Sequence, residues 1–274
     1  MHARLSLFLF VSLLLLGCSP NVSFEIVEFL QEGRGDVRLN ESLILRFSLA
    51  VDPLSVGATS LALVDESGKS PRGKWGVVGR ELRFKPALPM RADLADTGLA
   101  SRTTYRVVVA GFPAHGAILS ACGRSLAGRQ EFTFTTIGRG AVDGAPLIDS
   151  SPNGAPRLLS VNRTRLNEIA MQGVIIPKEG GIVIEFSEAL LPASVLEGSP
   201  CLHVVSDEGR SKTIPLACSF VDGSENRKVA LRPLEPLDAQ SRYQLRNESL
   251  EFTDFAGNRI DGTNFDHVEF RSCP

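Results

Sequence analysis

Five cysteines and one cluster of carboxylates are the residues whose types and spacing could do chemistry. Cys18 stands apart from the other thiols. It follows Leu15-Leu16-Gly17, where an apolar stretch from Leu5 to Leu16, broken only by Ser6 and Ser12, comes to an end. A thiol placed there, directly behind a small residue, is an attachment point and not a core thiol. The other four are Cys122, Cys201, Cys218 and Cys273, and four thiols allow three pairings. Cys201-Leu-His-Val-Val and Thr213-Ile-Pro-Leu-Ala-Cys218 flank Asp207-Glu-Gly-Arg210, which reads as a hairpin turn. Pairing Val205 with Ile214 sets Cys201 opposite Cys218, so this bridge is the favoured disulfide. Its rival joins Cys273 to one of the two and leaves Cys122 free. No C-x-x-C spacing is present, which removes the simplest zinc site.

Asp254, Asn258, Asp261, Asn264 and Asp266 crowd one polar segment. Calcium takes oxygen ligands of this kind, and Asp254, Asn258 and Asp261 are the candidate metal ligands. Their order is not that of an EF-hand, and the competing reading is a turn-rich loop. His115, His203 and His267 stand in neither H-x-H nor H-E-x-x-H spacing and are read as structural or exposed. A G-x-S-x-G elbow, a Walker loop and a Rossmann glycine fingerprint are all absent. No catalytic residue and no cofactor other than calcium is nominated, and the chain is expected not to be an enzyme.

The apolar stretch is shorter than the roughly 20 residues of a membrane span. It has the length of a secretory h-region, about 7 to 15 residues, behind the basic-leaning start His2 and Arg4. Leu15-Leu16-Gly17-Cys18 resembles the lipobox of bacterial lipoproteins. That resemblance implies a signal peptide over residues 1–17, cleavage after Gly17 and acylation of Cys18 with chains such as palmitate. It also implies the membrane as a partner through the lipid anchor. The implied location is the bacterial cell envelope. Ser19 directs such a protein to the outer membrane if the host is diderm. Lys and Arg number 29 against 31 Asp and Glu, a net charge of −2. The leader holds one Arg and no acid, so the mature chain is slightly more acidic, with no basic footprint for nucleic acid.

The elements that must carry these residues come twice. Phe47-Ser-Leu-Ala-Val-Asp-Pro-Leu-Ser-Val56 returns as Phe186-Ser-Glu-Ala-Leu-Leu-Pro-Ala-Ser-Val195. Leu43, Leu45 and Phe47 alternate as Ile182, Ile184 and Phe186 do, the period of a half-buried strand. Glu81-Leu-Arg-Phe-Lys-Pro86 echoes in Val229-Ala-Leu-Arg-Pro233, and Thr104-Tyr-Arg-Val-Val-Val109 in Arg242-Tyr-Gln-Leu-Arg246. Ser120-Ala-Cys-Gly-Arg-Ser-Leu126 lines up with Asp254-Phe-Ala-Gly-Asn-Arg-Ile260. Each copy closes on a strand, Glu131–Thr136 and His267–Arg271. In the first copy, strands are predicted near 22–30, 42–49, 60–65, 73–79, 81–85, 104–110 and 131–136. One short helical turn is predicted over 167–172. Pro53 and Pro192 are read as strand ends, and Trp75 as a core residue.

These motifs, in this order, resemble the bacterial Ig-like domains first described in surface-layer proteins, the SbsA-like family. The first copy departs from the pattern at Ser120-Ala-Cys-Gly-Arg124, and the second loses the F-x-F-T-T ending. The fold implied is all-β: two tandem immunoglobulin-like β-sandwiches after the signal peptide. The first domain spans 18–137, a Gly/Pro-rich linker spans 138–154, and the second domain spans 155–274. Tyr105 and Tyr243, the only tyrosines, hold equivalent places and resemble a tyrosine corner.

The function expected is a structural or adhesion-type binding module, with an envelope protein or glycan as partner. One alternative is an accessory subunit of an envelope assembly or transport complex, marked by an apolar patch around Phe112 or Phe265. The other is an enzyme with a site at the domain junction, marked by converging Asp, Glu or His side chains.

Overall fold

The computed structural model describes residues 22–138, 147–148, 154–172, 174–176, 181–205 and 212–272. The leader, Cys18, most of the linker, the turn at Asp207–Arg210 and Cys273 lie outside the described residues.

The chain is all-β, built as sandwiches of antiparallel sheets. In the first copy the strands are β1 (Ile26–Phe29), β2 (Leu43–Phe47), β3 (Leu61–Asp65), β4 (Gly73–Val78), β5 (Glu81–Pro86), β6 (Thr104–Val109) and β7 (Gln130–Thr135). Each falls on a predicted segment. One sheet runs β1-β2-β5-β4 and the other β3-β6-β7. Alternation makes the two layers: Leu43, Leu45 and Phe47 on β2, Leu82 and Phe84 on β5, and Val107 and Val109 on β6 all point into one buried cluster. Trp75 lies at the edge of that cluster, half-buried, with its ring 5.1 Å from that of Phe84.

The second copy holds β8 (Leu158–Val161), β9 (Thr164–Arg165), α1 (Leu166–Gln172), β10 (Val174–Ile176), β11 (Ile182–Phe186) and α2 (Pro192–Leu196). Then come β12 (Cys201–Val205), β13 (Thr213–Phe220), β14 (Lys228–Pro233), β15 (Arg242–Arg246) and β16 (His267–Ser272). Its strands join in the order β10-β16-β15-β12-β13-β14-β11-β8-β9. The long strand β13 makes the corner. Its first half pairs with β12 and its second half with β14, so one strand serves both layers. A separate cluster fills this sandwich, with Ile182, Ile184, Phe186, Val229, Leu231 and Tyr243 at its centre.

Two expectations change here. Cys201 and Cys218 are free thiols, and the disulfide between them is not formed. The register is slipped: Ile214 lies opposite Leu202, Cys201 opposite Pro215, and Val205 pairs with Arg242 of β15. The cause is burial. Leu202 and Ile214 are both fully buried, and a register that places them together keeps both side chains on the core face. Cys218 lies beyond the corner, opposite Leu231 of β14. Cys122, by contrast, is disulfide-bonded, to a partner outside the described residues. The second change concerns proline. Pro53 and Pro192 do not merely end strands; each opens a short helix, a 3-10 turn over Pro53–Ser55 and α2, at the first-turn position where a missing N–H costs nothing.

Candidate functional site

The residues repeated between copies do their work on the protein's own backbone. Tyr105 Oη accepts the Ala100 N–H at 2.8 Å, and Tyr243 Oη accepts the Asp238 N–H at 2.7 Å. Both rings are buried, and burial raises both phenol pKa values. The same corner has a second staple. Thr136 Oγ1 accepts the Thr103 N–H and donates to the Ala100 carbonyl. Ser272 repeats this with Ser241 and Asp238.

The two serines of the F-S-x-A-x-x-P-x-S-V motif have duties that sequence reasoning did not assign. Ser48 Oγ accepts the Glu25 N–H and Ser187 Oγ the Arg157 N–H, tying β1 to β2 in the first copy and β8 to β11 in the second. Ser55 Oγ accepts the Leu119 N–H and Ser194 Oγ the Thr253 N–H, each at 3.0 Å. The identical spacing of both serines in the two copies was the available signal.

The candidate calcium loop is closed on itself. Asp254 is fully buried. Its Oδ1 accepts the Ala256 and Asn258 N–H groups, and its Oδ2 accepts Asn258 Nδ2 at 2.9 Å. Asp261 is engaged separately. Its Oδ1 accepts from the backbone and hydroxyl of Thr263, and the hydroxyl bond leads the causes that hold this carboxyl below the ordinary range. The structure therefore brings Asp254 and Asn258 together through donors aimed at the carboxylate, which is the place a cation would take. Among the described residues no group of three or more His, Cys, Asp or Glu side chains could hold a metal ion. Ser120 does the same work in the first copy, where its Oγ accepts the Arg124 N–H.

Cys201 and His203 share one face of β12, with Sγ 3.7 Å from Nε2. Such a pair could make a nucleophile if the thiol were ionised. Here burial pushes the Cys201 thiol up and the His203 imidazole down, so both groups stay neutral. Burial alone raises the Cys218 thiol to about 11. His115 and His267 are exposed. Phe265 is buried, whereas Phe112 is 67% exposed.

The remaining candidate is the cleft where the copies meet, a cavity of about 250 Å³. Lys74, Lys85, Pro86 and Met90 line it from the first copy, and Val221 and Glu225 from the second. The Met90 side chain packs against the second core. Asp96 holds the loop that presents it, accepting the Met90 and Arg91 N–H groups. Asn226 is only 3% exposed and donates from Nδ2 to the Pro89 carbonyl at 2.6 Å. Lys85 Nζ meets Glu225 Oε2 at 2.6 Å, and this bond leads the causes that depress the Glu225 pKa. Among the described lining residues Glu225 is the one carboxylate, and a lysine neutralises it. Among the described lining residues no histidine and no second carboxylate stands beside Glu225.

No protein-family model matches the chain, and no curated protein matches it. Solved structures are similar to it. One is native alpha-2-macroglobulin from Escherichia coli spanning domains MG0-NIE-MG1, with 14% identity and a TM-score of 0.39 over 89% of this chain and 71% of that one. The native conformation of the E. coli alpha-2-macroglobulin, seen by cryo-electron microscopy, matches 89% of this chain and 14% of its own length, at 13% identity and a TM-score of 0.36. The N-terminal part of the bacterial S-layer protein SbsC matches 78% of this chain and 44% of its own length, at 12% identity and a TM-score of 0.29.

Proposed function

We propose that this chain is a non-enzymatic cell-envelope lipoprotein. Its acylated Cys18 tethers two Ig-like sandwiches that act as a structural or adhesion-type binding module. The observation that carries the reading is the use of the repeated motifs. Each repeated tyrosine, serine and threonine traced above bonds to backbone of its own sandwich. Chemistry is thus invested in rigidity, and recognition of an envelope protein or glycan falls to sheet edges and end loops.

The test is direct. In a bacterial host the native chain should incorporate labelled palmitate and sediment with membranes, and Cys18→Ser should do neither. Labelling of intact cells with a membrane-impermeant reagent then decides between the surface and the periplasmic face. Peptide mapping without reduction is the critical control. A disulfide between Cys122 and Cys18 would occupy the thiol that the lipid needs and would overturn the anchor.

A further inference from the structure

We propose that the anchored end of the first sandwich is itself a membrane-contact surface, with Leu54, Val78 and Phe112 entering the boundary between headgroups and acyl chains. The inference rests on the reading of Cys18 as the lipid attachment point.

Three observations converge. First, three strongly exposed apolar residues share this end, while Val27 and Leu234 are exposed elsewhere. Leu54 is 95% exposed, Val78 62% and Phe112 67%. Backbone bonds tie their loops into one cap: Val51 N–H to the Gly79 carbonyl, Asp52 N–H to Leu119, Ile118 N–H to Ala110 and Phe112 N–H to Leu126. Asp52 belongs to the cap as well, its carboxylate accepting the Leu54 N–H.

Second, the chain arrives at this same end. Ser48 holds Ser23 and Glu25, the Arg124 guanidinium holds the Val22 carbonyl, and the Phe24 ring stacks on Phe47. From Cys18 to Val22 the backbone can reach about 14 Å at most, at roughly 3.6 Å per residue. A lipid on Cys18 therefore confines the cap to the immediate neighbourhood of the bilayer. The exposed side chain of Arg80 adds a cation suited to lipid phosphates.

Third, the second sandwich shows what covers the corresponding end. The turn after β13 is the counterpart of Gly79-Arg80: Leu190 N–H bonds to the Asn226 carbonyl as Val51 N–H bonds to Gly79, and both turn residues have φ of +60°. In the second sandwich that end is closed by Pro89 and Met90 of the first. The chain enters the first sandwich at this end from Cys18, which on the reading above carries the lipid, so the bilayer is the occupant proposed.

The experiment uses the full lipidated chain in vesicles of phosphatidylethanolamine and phosphatidylglycerol. Tryptophan is introduced as Phe112→Trp in a Trp75→Phe background, and compared with Leu234→Trp on the second sandwich. Brominated lipids should quench the first and leave the second bright. If the Trp75→Phe background fails to fold, the same comparison is made by difference with Trp75 retained. Flotation with the vesicles reports the anchor independently. A chain that floats but shows equal brightness at 112 and 234 overturns the contact surface and leaves the anchor standing. A chain that does not float overturns the anchor itself.

Discussion

At the scale of single residues, a phenol oxygen that accepts one backbone N–H is easily replaced by water at a surface but not beneath a packed ring. Tyr105→Phe and Tyr243→Phe should each lower stability by about 1 kcal/mol, the usual net value of one such bond. Because the two sandwiches have separate cores, each substitution should move only its own transition in a calorimetric scan. Ser55→Ala and Ser194→Ala test the same principle at the serines, where the Leu119 and Thr253 N–H groups lose their acceptor. The free cysteines allow a chemical check. Iodoacetamide applied in denaturant without reductant should alkylate both Cys201 and Cys218. In the native fold Cys218 should react slowly, since a thiol with a pKa of about 11 is almost all protonated at neutral pH. A bridge found between the two would refute the register described here.

At the scale of elements, the loops at Ser120 and Asp254 show how one backbone shape is kept by different side chains. Ser120 and Asp254 each accept the N–H four residues on, after a glycine with positive φ has turned the chain: Gly123 at +77° and Gly257 at +86°. Asp254→Ala removes the acceptor of three bonds in a fully buried place and should cost about 3 kcal/mol. Removal of calcium with EDTA should leave the melting temperature of the native chain unchanged, because loop donors already saturate the carboxylate. This part of the fold was legible in the sequence. Alternating Leu43, Leu45 and Phe47 announced a strand, and the repeated Tyr, Pro and Gly announced corners and turns, because local geometry constrains those residues directly. The register of β12 against β13 was not legible. It depends on which hydrophobic pair faces the core, and the adjacent Val204 and Val205 let either face of β12 meet Ile214 and Leu216. Met90 and Asn226 were invisible for a related reason: contacts between copies follow no period along the chain.

At the scale of the whole molecule, the question is what holds the two sandwiches against each other. Among the described residues the junction is crossed by the Lys85–Glu225 ion pair, the Met90 side chain in the second core, and Asn226 on the Pro89 carbonyl. They are not equal. Lys85 and Glu225 are each more than half exposed, and an ion pair of that kind contributes little. Its pH dependence has a definite sign. The Glu225 pKa is depressed in the folded state, so its contribution is present above the ordinary value of 4.5 and is lost as pH falls through the lower folded value. Acidification through that window, or Lys85→Ala, should therefore leave the small-angle scattering profile of the chain unchanged. Asn226 is different, because its amide is buried and its bond to Pro89 has no water to replace it. Asn226→Gly is the clean test. Gly79 occupies the equivalent turn with the same φ, so glycine keeps the backbone and deletes the amide's bond to Pro89 together with its longer one to the Leu190 carbonyl. That variant should broaden the distribution of distances between spin labels placed on β2 and β11, and adding Met90→Ala should broaden it further. If Lys85→Ala alone produced the broadening while Asn226→Gly did not, the junction would be electrostatic, and the relative placement of the two sandwiches would depend on pH and salt.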